Sequence, residues 1–310
     1  MRLVSYGEPG GERAGLLLGD HVLDIERATG GATGQARGGA PAATAFPGSV
    51  RELFRSGRVA ELAALVPGFE ARLGAAGREG FPPGACFARR DVRLGPPVPD
   101  ASKIICVGLN YRDHAREQGK EPPSSPLLFA KAPSALAGPQ DPIAVTAGVT
   151  QVDFELELGV VIARVARRVP ESAAMDYVGG YMLFLDMTDR EAQYGDKQWF
   201  RGKSHDGFAP SGPWLVPAGE HDPDSLAMRL EVNGHVEQDS STAEMIHKVP
   251  ALIAYITRSI TFVPGDIIAT GTPAGVGVFQ KPPRFLLPGD RIRAEIESLG
   301  VLETTIELER

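Results

Sequence analysis

An apolar segment near the middle of the chain, residues 152–162, carries two acidic side chains at alternate positions. Its period of two predicts a β-strand on which Glu155 and Glu157 share one face and apolar residues occupy the other. The rise of a strand sets their Cα atoms roughly 6.6 Å apart. Adjacent like charges in an apolar strand are costly, and a hard divalent cation is the simplest compensation. A solvated strand face is the alternative interpretation.

A second apolar run, residues 181–185, ends on Asp186 and supplies a third carboxylate. Three oxygen ligands without a nearby Cys or His pair favour Mg²⁺ over zinc, with Mn²⁺ or Ca²⁺ as alternatives. Coordination positions would remain open for substrate and water. We therefore predict a metal site formed by Glu155, Glu157 and Asp186.

The rest of the pattern predicts an α+β, β-rich fold. Asn233-Gly234 between two apolar runs is a strong hairpin signal. Apolar residues at helical spacing predict helices over Val50–Leu73 and Val249–Ile260. The strand-like runs are Arg2–Tyr6, Gly15–Leu18, His21–Asp24, Lys103–Val107, Leu127–Lys131, Val152–Arg164, Gly180–Asp186, Ala227–Val232 and Arg291–Ile296.

With 310 residues, the chain exceeds the usual size of one compact domain. A Gly/Ala/Thr-rich stretch, Ala28–Gly48, predicts a mobile loop, and five prolines between positions 82 and 99 predict a stiff connector. We place the domain boundary there: residues 1–95 form a small N-terminal domain and residues 96–310 the larger catalytic domain.

Charge and cysteine content limit the partners of the chain. The net charge of −7 is spread without a basic block, which disfavours nucleic acid and anionic membranes, and no run approaches membrane-spanning length. The start of the chain does not resemble a signal peptide. Cys86 and Cys106 fit a reducing cytoplasm, with a single bridge between them as the alternative. A small polar substrate is the better expectation.

Five passages follow one another along the chain: residues 104–111 followed by His114, residues 153–157, the strand ending at Asp186 with Arg190 and Gln193 after it, residues 203–208, and residues 270–273. In this order they resemble the fumarylacetoacetate hydrolase family over Ile104–Gly300. The resemblance implies a mixed β-sandwich roll as catalytic domain, a homodimer, and metal on the three carboxylates. A small N-terminal α/β domain is matched only loosely by the first ninety or so residues.

The resemblance also implies a catalytic pair, His114 and Glu117, on a lid segment. Their i, i+3 spacing puts both on one helical face, where a carboxylate can orient an imidazole that activates water. A surface His followed by Glu is common in helices and is the alternative. Lys203 lies in a segment that the family uses at its active site, where an ammonium can stabilise enolate charge.

Further residues are expected to bind substrate. Arg190 and Gln193, three positions apart, suit a substrate carboxylate, although Arg190 can instead balance Asp186 or Glu191. Lys131 is a weaker candidate for which an exposed lysine is the alternative. Gly271 and Thr272, in a tight turn, would present an N–H and a hydroxyl to the ligand, or simply form a turn.

These residues predict a Mg²⁺-dependent hydrolase that cleaves a C–C bond in an acylpyruvate-like or 2,4-dioxo acid through a metal-stabilised enolate. The alternatives are a decarboxylase or isomerase of an unsaturated 2-oxo dioic acid or oxaloacetate, and a non-catalytic metal- or ligand-binding protein on the same fold. Asp189 and His205 depart from the family pattern, so we expect them to alter local charge and substrate choice.

Overall fold

The computed structural model describes residues 1–30 and 45–309. Most of the predicted loop, Ala28–Gly48, therefore lies outside the described residues. Within the described ranges, no helix is both long and apolar enough to cross a membrane. Cys86 and Cys106 are free thiols, so the alternative of a bridge between them was wrong.

In the first third of the described chain the strands and helices are β1 (Leu3–Tyr6), β2 (Arg13–Leu18), β3 (His21–Asp24), α1 (Ile25–Thr29), α2 (Val50–Arg55), α3 (Val59–Ala76), β4 (Cys86–Ala88), β5 (Leu94–Gly95) and β6 (Ile104–Gly108). The next elements are α4 (Arg112–Glu117), β7 (Leu127–Lys131), β8 (Leu136–Ala137), β9 (Ile143–Val145), β10 (Val152–Asp153), β11 (Leu156–Ile162), β12 (Val178–Leu185), β13 (Thr188–Asp189), α5 (Arg190–Gly195) and α6 (Trp199–Lys203). The last are β14 (Ala209–Pro217), β15 (Ala227–Val232), β16 (His235–Ser241), α7 (Val249–Thr257), β17 (Ile267–Ala269), β18 (Arg291–Ile296) and β19 (Gly300–Leu308). Short 3₁₀ helices cover Gly77–Gly80, Arg89–Asp91, Pro133–Ala135, Glu171–Tyr177, Thr242–Glu244 and Gly277–Phe279.

One large sheet runs through the molecule in the order β4-β3-β2-β1-β14-β12-β11-β17-β6-β7, with β5 paired to β1 and β8 to β14. A second sheet has the order β16-β15-β18-β19-β9, and β10 pairs with β13. Leu3 of β1 lies opposite Leu215 of β14, so the N-terminal strands continue the sheet of the larger part. The domain boundary at residues 95/96 stays a prediction.

The central strands β11 and β12 are buried along their whole length, because core packs against both faces of the large sheet. Leu158 packs in one core cluster, while Val161 packs in the other. The same alternation puts Glu157 of β11 on the face of Val161, and Asp186, just after β12, on the face of Phe184. The two acids thus reach the same side of the sheet.

The predicted strand over Val152–Arg164 is interrupted. Phe154 and Glu155 lie between β10 and β11, so the assignment of Glu155 to a continuous strand was wrong. Side chains take the backbone donors at the break: Asp153 Oδ1 accepts from Phe154 N at 2.9 Å, and Gln238 Oε1 accepts from Leu156 N at 2.9 Å. These bonds replace ladder hydrogen bonds and let the chain turn toward the site.

The other element predictions have mixed outcomes. The hairpin at Asn233-Gly234 is confirmed, with φ values of 54° and 79° at the two turn residues. Helix α7 is confirmed but ends at Thr257 rather than Ile260. The single helix over Val50–Leu73 was wrong, because Gly57, with a φ of 69°, separates α2 from α3.

Asp24 joins β3 to α1 by a buried network. Its carboxylate accepts from Tyr6 Oη at 2.6 Å, from Arg13 Nε at 2.7 Å and from the backbone N of Arg27 at 2.8 Å. Burial, the largest influence, raises the pKa of Asp24, but the bonds from Arg13, Arg27 and Tyr6 outweigh it and leave the pKa below its usual value. The ionised carboxylate therefore stabilises the fold.

We expect Asp24→Asn to lower the free energy of unfolding by about 2 kcal/mol at neutral pH, since Arg13 loses its buried partner. Because the folded-state pKa of Asp24 is lowered, its contribution is full above the unfolded pKa and is lost as pH falls through the folded one. Urea unfolding of both proteins from pH 7 to pH 3 measures this. A difference that stays constant across that range would contradict the ionic role.

Candidate active site

The three predicted metal ligands come together under the large sheet. Glu155 precedes β11, Glu157 lies within it, and Asp186 follows β12. All three are buried, and one carboxylate oxygen from each lies within 4.8 Å of the others. A backbone hydrogen bond from Asp186 N to Glu155 O at 2.9 Å fixes the two segments side by side. This is the spacing at which carboxylates can share one cation.

Two buried lysines contact the trio. Lys203 Nζ, at the end of α6, donates to Glu155 Oε2 at 2.7 Å and to Asp186 Oδ2 at 2.6 Å. Lys131 Nζ, at the end of β7, donates to Asp186 Oδ1 at 2.7 Å and to Met187 O at 3.1 Å. Burial lowers the pKa of Lys131, whereas the pKa of Lys203 is raised because Asp186 and Glu155 outweigh its burial.

Glu157 differs from the other two acids because no lysine or arginine of the described residues forms an ion pair with it. Its one hydrogen bond from the described part of the chain comes from Gly271 N, 2.9 Å from Oε2. Burial, with the charges of Asp186 and Glu155, raises the pKa of Glu157 well above its usual value. In contrast, Lys203 and Arg190 overcome burial and lower the pKa of Glu155 to about 2. A buried acid without a cation fits a divalent ion among these oxygens.

Arg190 is bound within the protein. Its Nε donates to Asp153 Oδ2 at 2.8 Å, its Nη2 to Glu155 Oε1 at 2.7 Å, and its Nη1 to Gln193 Oε1 at 2.9 Å. Arg190 does balance acids, but they are Asp153 and Glu155 rather than the expected Asp186 or Glu191. Its guanidinium still lines the cavity beside Gln193, where a donor can remain for a ligand.

The turn after β17 mainly holds the strand that carries the acids in place. The Gly271 N–H is directed at Glu157, and Thr272 Oγ1 donates to Leu156 O at 2.9 Å while accepting from Gln238 Nε2 at 2.8 Å. Thr272 also lines the cavity. Gly271 has a φ of 97°, and a Cβ there would lie 2.8 Å from Asn110 Cβ, so glycine is required.

His114 and Glu117 form a contact on helix α4. His114 Nδ1 lies 2.8 Å from Glu117 Oε2, and Glu117 Oε1 accepts from Gly275 N at 2.8 Å. The edge of Phe279 packs on the imidazole, with ring centroids 5.7 Å apart. The pair is therefore fixed in orientation, as a base that activates water requires.

A cavity of about 240 Å³ connects these groups. His114, Glu155, Glu157, Arg190, Gln193, Lys203 and Thr272 are among its lining residues, together with Gln118, Lys120, Leu127, Phe129, Tyr194, Trp199 and Phe279. Four predicted residues do not line the cavity: Glu117, Lys131, Asp186 and Gly271. Glu117 contacts His114, Asp186 contacts Lys203, and Lys131 and Gly271 donate to Asp186 and Glu157. Thus most of the predicted residues face one space, and these four support it from behind.

Asp189 and His205 lie behind helix α5. Asp189 Oδ1 accepts from Ala192 N at 3.2 Å as the N-cap of α5, and His205 Nε2 is 3.3 Å from Asp189 Oδ2. His205 stacks on Phe208 with ring centroids 4.7 Å apart. Neither residue lines the cavity, so any influence on substrate choice passes through the helix that carries Arg190 and Gln193.

Four contributors were missed from the sequence: Asp153, Gln238, Gln118 and Lys120. Asp153 was within a quoted passage, and its position next to the acid pair was a usable signal. Gln238 comes from β16 of the second sheet, and no local pattern marks it. Gln118 and Lys120 follow His114 and Glu117 in the sequence, and this proximity was the one feature that could have indicated them.

The comparisons with known proteins agree with this geometry. The model of the fumarylacetoacetate (FAA) hydrolase C-terminal family matches residues 103–307. The mitochondrial oxaloacetate tautomerase FAHD2A of Bos taurus is 44% identical over 217 residues, 69% of this chain and 69% of that protein. A protein of Burkholderia multivorans described as a putative hydrolase is 39% identical over 97% of this chain and 96% of its own length.

Solved structures resemble the whole chain. A putative HpcE protein from Mycobacterium smegmatis has a TM-score of 0.81 at 34% identity, with 100% of both chains covered. Maleylpyruvate hydrolase from Sphingobium sp. SYK-6, in complex with manganese(II) and pyruvate, has a TM-score of 0.75 at 31% identity, again with 100% of both chains covered.

A β-rich α+β fold with a buried acidic trio, two members of which line a cavity, defines an enzyme of the class that these relatives represent, which includes hydrolases, isomerases and tautomerases. More narrowly, the chain belongs to the fumarylacetoacetate hydrolase family. The predicted fold class and family are thereby confirmed, and the trio can bind a metal.

Proposed function

We propose that this enzyme is a Mg²⁺- or Mn²⁺-dependent hydrolase that cleaves the C–C bond of a 2,4-dioxo acid. The observation that carries the proposal is that His114, which Glu117 holds, lines the same cavity as Glu155 and Glu157 of the carboxylate trio. A cation held by Glu155, Glu157 and Asp186 would supply positive charge beside the 2-oxo acid group and so stabilise an enolate. The manganese and pyruvate in the maleylpyruvate hydrolase complex support this choice.

The charges of the site support an anionic substrate. Four carboxylates, of Asp153, Glu155, Glu157 and Asp186, contact or adjoin three basic side chains, of Lys131, Arg190 and Lys203. When all seven groups are ionised, the net charge of the site is −1, and a bound divalent cation changes it to +1. The carboxylate of one 2-oxo acid balances that charge.

The chemical step uses His114, Glu117 and Lys203. His114 Nε2 takes a proton from water, and the water oxygen bonds to the distal carbonyl carbon. The bond from that carbon to C3 then breaks and its electron pair passes into the enolate of pyruvate. C3 takes a proton from solvent, and His114 releases its own proton to solvent. Glu117 holds the imidazole throughout, while Lys203 keeps positive charge near the enolate. The products are a carboxylic acid and pyruvate.

A second candidate is keto–enol tautomerisation of oxaloacetate, and the identity of 42–44% to oxaloacetate tautomerases favours it. The same enolate forms, but no water adds and no C–C bond breaks.

Under either function we propose that the chain is a homodimer in the cytoplasm. Size-exclusion chromatography with light scattering tests the dimer, and cell fractionation tests the location.

Product analysis separates the candidates. We expect the purified enzyme with Mn²⁺ to release pyruvate from acetylpyruvate, measured by coupling to lactate dehydrogenase, and chelation by EDTA to stop the release. Oxaloacetate serves as the comparison, with its ultraviolet absorbance reporting the enol. Rapid loss of the enol signal without pyruvate from acetylpyruvate would replace hydrolysis by tautomerisation.

A further inference from the structure

The chain directly after the catalytic pair places a second polar pair on the cavity wall. Gln118 follows helix α4, and Gly119, with a φ of 63°, turns the chain so that Lys120 N bonds to Ala115 O at 2.9 Å. This brings Lys120 Nζ to 2.8 Å from Gln118 Oε1. Both side chains line the cavity that Glu155 and Glu157 also line.

The contacts of Gln118 define the protons on His114. An ammonium only donates, so the amide oxygen of Gln118 faces Lys120 and its NH₂ group faces His114 Nε2, 2.8 Å away. An NH₂ group also only donates, so His114 Nε2 accepts and His114 Nδ1 carries the proton toward Glu117. The nitrogen that would accept a proton from water is therefore covered by Gln118.

Lys120 differs in charge environment from the inner basic residues. Lys203 and Arg190 are each paired with buried carboxylates. Lys120 forms no ion pair with any residue in the described part of the chain, and its one polar side-chain contact there is with Gln118. A cation on the cavity wall without an acidic partner is suited to an anionic group of the ligand.

We propose that Lys120 binds the distal carboxylate of a dicarboxylic 2-oxo acid. As the Lys120 side chain moves to this carboxylate, it draws Gln118 away from His114 Nε2. The inference rests on the proposed function, since it needs the 2-oxo end at the carboxylate trio. Leu127 and Tyr194, apolar walls of the same cavity, suit the carbon chain between the two carboxylates. Lys120 is then a specificity residue and Gln118 a positioning residue.

The test of Lys120 compares matched substrates. For Lys120→Met we expect KM for 2,4-dioxoheptanedioate to rise five- to tenfold while KM for its distal monomethyl ester stays within twofold, because an accessible ion pair is worth about 1 kcal/mol. Arg90→Met, which removes one positive charge from a side chain that is 90% exposed and outside the cavity, is the control. Equal effects on both substrates, or none on either, would overturn the assignment.

Binding keeps the test independent of turnover. If the wild-type enzyme hydrolyses neither substrate, the proposed function fails, and calorimetry of the Mn²⁺-loaded protein with 2-oxoglutarate and 2-oxovalerate decides about Lys120. We expect the wild type to prefer 2-oxoglutarate, which differs by its distal carboxylate, and Lys120→Met to lose that preference about tenfold. A preference retained in Lys120→Met would reject the role.

Gln118→Leu tests whether the Gln118 amide blocks His114 Nε2 from water. Because its side chain cannot donate to His114 Nε2, we expect kcat for the monomethyl ester to rise toward kcat for the dicarboxylate, while circular dichroism stays unchanged. A merely structural role predicts that kcat falls equally for both substrates. That fall would remove Gln118 from the proposal and leave Lys120 to be decided by the KM comparison.

Discussion

Glu157→Gln is expected to abolish binding of Mg²⁺ and Mn²⁺ and to lower kcat/KM about a thousandfold, a loss of about 4 kcal/mol in transition-state stabilisation. Glu157 is the acid of the trio without a basic partner in the described chain, so its charge is free for a cation. Isothermal titration calorimetry with Mn²⁺ measures the loss of binding directly, and the pyruvate assay measures the loss of rate.

Glu157 is a sharper choice than Glu155 for this experiment. Replacing Glu155 would remove one of the two buried acids that Lys203 and Arg190 each contact, so loss of activity there could reflect unfolding. In Glu157→Gln, the amide oxygen of the new side chain can still accept from Gly271 N. The substitution also removes a buried charge that the neighbouring charges of Asp186 and Glu155 oppose.

The metal-free Glu157→Gln protein should therefore unfold at a temperature no lower than the wild type. Since the pKa of Glu157 is raised, the wild type loses stability as pH rises through the folded-state value, and the variant does not. Glu191→Gln, an exposed acid near Thr150, is the matched control and should bind Mn²⁺ normally. Unchanged Mn²⁺ affinity in Glu157→Gln would refute the metal site.

The sequence was most informative where one local pattern determined the geometry. Alternation along a strand placed Glu157 correctly, and the end of an apolar run placed Asp186, because both depend on the backbone of their own strand. Glu155 reached the site for a different reason. Its strand breaks, and Gln238 from the other sheet takes the backbone donor of Leu156, a contact that local periodicity does not contain.

The roles of several residues depended on contacts distant in the chain. Lys131 was predicted to meet substrate, but 55 positions separate it from Asp186, the partner that it holds. Gly271 likewise lies 114 positions from Glu157, to which it donates. In both cases the residue itself indicated a polar contact. Its partner depends on the assembly of β6, β7, β11 and β17 into one sheet, which local sequence does not specify.

His114→Asn is expected to lower kcat for 2,4-dioxo acid hydrolysis about a thousandfold, within the range that a positioned general base contributes. Asparagine has no basic nitrogen, although its amide can still reach toward Glu117. Because His114 does not belong to the carboxylate trio, Mn²⁺ binding measured by calorimetry should remain within twofold of the wild type. Stopped-flow and steady-state pyruvate release both measure the rate.

Deuterium exchange at C3 of pyruvate decides which proton His114 moves. If His114 activates water, His114→Asn should stop hydrolysis but leave exchange close to the wild-type rate, because enolate formation depends on the trio and Lys203. If exchange disappears together with hydrolysis, His114 removes the C3 proton itself, and the tautomerase function becomes the better description. If both activities persist, the pair of His114 and Glu117 has no catalytic part, and the base must be sought among the other groups that line the cavity.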